Sequence, residues 1–91
     1  MIGRPGMQHL DGNVLAGDLA AVFGGDVTAM LGSCAFCRAR GAVAELMVYR
    51  TAMGSVGRCA TCGEVLVVVV ERGDRPMVSL AGLRALELAA P

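Results

Sequence analysis

Two short repeats constrain this chain more than anything else in it: Cys34-Ala35-Phe36-Cys37 and Cys59-Ala60-Thr61-Cys62. Together they read C-x2-C-x21-C-x2-C, close to the spacing of zinc sites. A two-residue gap makes a tight turn that aims both sulfurs at one ion, while N–H groups of the turn point at the sulfurs. Two such knuckles supply four thiolates in a tetrahedron, the arrangement structural Zn²⁺ prefers. The predicted ligands are therefore Cys34, Cys37, Cys59 and Cys62, holding one Zn²⁺ per chain. Four thiolates also suit iron, as in rubredoxin, but rubredoxins shield their iron with aromatics, and here only Phe36 lies near in sequence. Disulfides need an oxidising compartment, and a thioredoxin-like redox pair needs a βαβ context and usually one C-x-x-C.

The chain has 91 residues, enough for one small domain that buries only about two thirds of its unfolded surface. A small core offers a few kcal/mol, whereas zinc contributes about 10–16 kcal/mol of apparent binding free energy in small zinc domains. Metal, more than core, is expected to decide whether such a chain folds. Hydrophobic residues make up 55% and aromatics 3% (Phe23, Phe36 and Tyr49), so the apolar material is Ala, Val, Leu and Met. Eight basic residues, all Arg, balance eight acidic ones. Zero net charge argues against an electrostatic binder of nucleic acid or anionic membrane. Zinc with four thiolates adds a local charge of −2, which argues further in the same direction. Arg38 and Arg58 flank the knuckles; they either offset that charge or are ordinary solvated side chains. A Lys-free chain rich in Ala, Gly, Val and Arg also suggests a GC-rich bacterial genome.

Residues 1–10 show no signal-peptide pattern, the longest apolar run, Val65–Val70, is too short to span a bilayer, and no lipidation motif is present. The expectation is a soluble, cytoplasmic protein with no membrane segment. His9 is the single histidine, and no Ser/His/Asp set or phosphate-binding loop can be assembled around it. Four thiolates close the coordination shell and leave no position for water. The chain is accordingly expected to be non-enzymatic, with no catalytic or cofactor-binding residues and no small-molecule substrate.

Residues 1–9 read as a flexible tail, 10–88 as a single zinc-ribbon domain and 89–91 as a second tail. A helix is predicted over about 11–24, with Asp11 at its start, an apolar stripe of Val14, Leu15, Leu19, Val22 and Phe23, and Gly24-Gly25 at its end. Gly12 and Gly17 weaken it. Strands are expected over 26–33, 43–51, 55–58, 65–72 and 77–81, with a turn at 73–76. Residues 83–88 suit a strand or a short helix. The fold class is α+β: one short N-terminal helix on an antiparallel zinc-ribbon sheet with two C-x-x-C knuckles. Because Val65–Val70 is apolar on both faces, a second cover is needed. Residues 77–88 or another copy would supply it, and a homodimer or a protein partner is expected.

The phrases Leu10-Asp11-Gly12-Asn13-Val14-Leu15-Ala16-Gly17 and Phe23-Gly24-Gly25-Asp26-Val27-Thr28, the two Cys pairs and the closing Leu80-Ala81-Gly82-Leu83 occur in that order. In this the chain resembles a family of short actinobacterial proteins classed as a domain of unknown function, and the resemblance runs from Leu10 to Leu88. It implies that the four Cys are metal ligands and implies no activity. The family commonly carries Gly after the second Cys of each pair; Gly63 matches and Arg38 departs, which puts the first knuckle turn in question. Three roles stay open on the sequence: a structural zinc-ribbon interaction module, a transcription- or translation-associated ribbon touching nucleic acid, and a metal- or redox-handling protein.

Overall fold

The computed structural model describes residues 10–25 and 27–87. Among these residues there are eight short strands: β1 (Leu10–Asp11), β2 (Leu31–Cys34), β3 (Arg40–Ala42), β4 (Met47–Thr51), β5 (Gly54–Arg58), β6 (Val65–Arg72), β7 (Arg75–Ser79) and β8 (Leu83–Glu87). The helix α1 spans Ala16–Phe23. All strand pairings are antiparallel, so the α+β class stands. The single expected sheet is two: a five-stranded sheet in the order β1-β4-β5-β6-β7, and a three-stranded sheet in the order β3-β2-β8.

The helical segment starts where Asp11 suggests. Its carboxylate accepts from the Asn13 N–H at 3.0 Å, but the first turn, Gly12–Leu15, is a 3-10 helix that leads into α1. Gly12 is a packing requirement as well as a weak helix former: a Cβ there would lie 1.9 Å from the Val43 carbonyl oxygen. Gly24 closes α1 in the left-handed conformation. Of the predicted stripe, Leu15 and Leu19 are fully buried and Val14 is half-buried. Val22 and Phe23 turn out to be exposed, at 44% and 49%, because the core contact of this short helix is made by its first part.

Leu15 sits over the five-stranded sheet at Gly57, where an added Cβ would be 3.7 Å from Leu15 Cδ1 and 3.2 Å from Leu46 Cδ1. Val48, Val67 and Val69 complete that buried face, each no more than 1% exposed. Burying one such side chain stabilises by about 1.5–3 kcal/mol. Arg50 fixes the helix laterally: its Nη2 donates to Asp18 Oδ2 at 3.2 Å and its Nε to the buried Ser55 Oγ at 3.0 Å. On the opposite face, Val68 and Val70 of β6 stay half-buried beside Tyr49 and Val56.

Other expectations shift. The strand placed at 26–33 is confined to Leu31–Cys34, with a turn before it. The stretch 43–51 is not one strand. Val43–Glu45 forms a 3-10 turn because the Glu45 side chain accepts from the Ala42 N–H at 3.1 Å, and β4 begins only at Met47. Strand β3 was not anticipated; three residues carry too little pattern to read. The returning strand begins earlier than Met77, at Arg75, and takes Pro76 onto the outer edge, where a missing N–H costs no ladder bond. Residues 83–87 are a strand because β2 offers a free edge, with Leu31 opposite Glu87. The tails predicted at 1–9 and 89–91 lie outside the described residues. Among the described residues no helix is long and apolar enough to cross a membrane.

Candidate metal centre

Each C-x-x-C pair is the turn of a hairpin. The first joins β2 to β3 in the three-stranded sheet; the second joins β5 to β6 in the five-stranded sheet. The four cysteines therefore stand where the two sheets meet. Local backbone bonding is the same at both turns. Arg38 N–H donates to the Cys34 carbonyl at 3.0 Å, and Gly63 N–H to the Cys59 carbonyl at 2.9 Å. Below each turn, Cys34 N–H donates to Ala39 O and Cys59 N–H to Glu64 O, both at 2.9 Å. The expected N–H···S bonds are present: Phe36 and Cys37 donate to Cys34 Sγ at 3.3 and 3.4 Å, and Thr61 donates to Cys59 Sγ at 3.4 Å.

All four sequence-predicted ligands come together. Their sulfurs lie within 4.8 Å of one another. Two of the approaches cross between knuckles, Cys34 to Cys62 and Cys37 to Cys59, both 3.7 Å. A tetrahedral zinc site with Zn–S bonds of about 2.3 Å has sulfur–sulfur edges of about 3.8 Å, so the donor set and its size fit such an ion. All four thiols are free; Cys34 and Cys59 are buried, Cys37 and Cys62 exposed.

The thiols do not ionise alike. Burial opposes the thiolate at Cys34, but the N–H groups of Cys37 and Phe36 outweigh it and bring the pKa from 9.0 to about 6. Cys59 is lowered in the same way, against burial, by the N–H groups of Cys62 and Thr61. At Cys62 the Glu64 N–H favours the thiolate, yet burial and the three neighbouring thiols push the pKa up to about 12. Cys37 is also raised: the Ala39 N–H favours its thiolate, but burial and the neighbouring Cys34 and Cys59 prevail. Four sulfurs this close cannot all carry charge without a cation between them. A divalent ion would remove that conflict, and the knuckle N–H groups would offset part of the remaining negative charge.

Sequence reasoning missed how differently the two flanking arginines behave. Arg58 Nη1 donates to the Gly63 carbonyl at 2.8 Å, and its guanidinium lies 6.0 Å from the Tyr49 ring centroid, so it braces the second knuckle. Arg38 occupies the turn position that Gly63 holds in the other knuckle, with φ of 68° against 81°. A left-handed backbone costs a non-glycine residue about 1 kcal/mol or more. The contrast between Arg38 and Gly63, each following the second Cys of its pair, was the signal in the sequence.

No curated protein and no solved structure matches the chain. A family model described as "Family of unknown function (DUF6510)" matches residues 6–91. With nearly its whole length matched, the chain belongs to that family of unknown function.

Proposed function

We propose that the protein is a non-enzymatic, structural zinc module that works by binding other proteins. One Zn²⁺ is held by Cys34, Cys37, Cys59 and Cys62, and the fold is a zinc ribbon in which the ion joins two hairpins. The observation that supports this is the closed tetrathiolate set, with all four sulfurs within 4.8 Å. Four protein ligands fill a tetrahedral shell and leave no place for water or substrate, which is the mark of a structural rather than a catalytic site. Free thiols fit a reducing compartment, so we place the protein in the cytoplasm. The half-buried apolar face over Tyr49, Val56, Val68 and Val70 adds to the case for a protein partner or a second copy.

Elemental analysis and native mass spectrometry of the purified protein test this. One zinc per chain with four reduced cysteines is expected. Metal-free protein carrying two disulfides would overturn it, and iron in place of zinc would turn the reading toward electron transfer.

A further inference from the structure

We propose that the tip of the first knuckle is a docking site for a protein segment presenting a carboxylate beside an apolar side chain, with Arg38 and Phe36 as the receiving residues. This rests on the structural reading of the metal centre, since the loaded centre holds the knuckle in shape. Phe36 is 59% exposed, and its N–H is committed to Cys34 Sγ, so the ring projects from a fixed backbone. Arg38 is exposed and, among the described residues, its side chain has no hydrogen bond or ion pair. It also stands at φ 68°, where glycine would be unstrained. A bulky residue is thus kept at a backbone cost that no side-chain hydrogen bond or ion pair among the described residues offsets, and such outliers point to a role outside the fold.

The second knuckle is the internal contrast. At the corresponding positions it has Thr61 and Gly63, and its arginine, Arg58, turns inward to the Gly63 carbonyl. Arg40, the next arginine after Arg38, is taken by Glu87. Among the described residues Arg38, Arg75 and Arg84 are exposed without a side-chain hydrogen bond or ion pair, and of these Arg38 stands two positions from an exposed aromatic ring. A guanidinium pairs two-pronged with a carboxylate, and aromatic and Arg side chains are the usual anchors of protein interfaces. A nucleic-acid strand fits less well. It brings a charge at every phosphate, against a chain of zero net charge whose loaded tetrathiolate is itself negative.

The probe is a fluorescent random copolymer of glutamate and tyrosine, with oligo-dT in parallel, read by anisotropy against zinc-loaded protein. The variants are Phe36→Ala, Arg38→Gly and, as the matching control, Thr61→Ala. Zinc content and melting temperature are recorded for each. The copolymer should bind, Phe36→Ala and Arg38→Gly should each weaken binding by about fivefold or more, and Thr61→Ala should leave it within about twofold. Arg38→Gly should melt no lower than the parent, so its lost binding is not unfolding. Zinc-loaded protein that ignores the copolymer, binds it equally in all variants, or prefers oligo-dT overturns the docking site and leaves the metal reading intact. Parent protein that binds no zinc overturns the metal reading first.

Discussion

The two knuckles share one backbone and differ in what hangs from it. Both close with the same N–H to carbonyl bond, and in both the residue two after the first Cys donates its N–H to that Cys sulfur. The second relaxes its turn with Gly63 and ties it down with Arg58, whereas the first carries Arg38 in the same left-handed position and exposes Phe36. The difference teaches that ligand geometry is fixed by main-chain bonding, which leaves the side chains around it free to serve other ends.

The largest effect should show where the knuckles are alike. Cys34→Ser and Cys59→Ser should each abolish stoichiometric zinc and the cooperative melting transition, because either one opens the shell. Metal analysis and circular dichroism check this. If one variant keeps its zinc and the other does not, the knuckles are not equivalent as ligands. A smaller effect should show where they diverge. Gly63→Ala places a Cβ on a residue at φ 81° and should destabilise by about 1 kcal/mol, while Arg38→Gly should be neutral or stabilising by up to about 1 kcal/mol. Opposite signs in denaturant melts are the expected result; the same sign would mean that the turns are strained differently from their dihedrals. The smallest contrast lies between the arginines. Arg58→Ala loses the bond to the Gly63 carbonyl and should cost about 0.5–1.5 kcal/mol. Arg38→Ala should stay within about 0.5 kcal/mol of the parent.

The clustering of the four cysteines was legible because its signal is local: two C-x-x-C pairs at fixed gaps need only a tight turn at each pair. Strand β6 was legible for a similar reason, as the β-branched run Val67–Val70 disfavours helix. What escaped the sequence depends on contacts made far along the chain. Gly12 reads as a helix breaker until Val43 is known to lie against it. Val22 and Phe23 fit the helical stripe, but periodicity cannot tell how far a short helix stays against its sheet. The ambiguity at 83–88 was a missing partner, since β8 takes its form from β2. The split into two sheets follows from the same pairing.

That pairing also sets an order of assembly. Strands β4 to β7 meet only their neighbours along the chain, apart from the β1 edge, so their hairpins can zip in sequence and bring Cys59 and Cys62 into place early. Strand β2 pairs at once with β3 but completes its sheet only with β8, where Leu31 meets Glu87. Loop-closure entropy makes such distant pairings slow. During synthesis both knuckle hairpins are therefore made before β8 arrives to complete the second sheet. An ion captured by one knuckle would hold two open positions until the other closed on it, and that closure would be the step that locks the two sheets together.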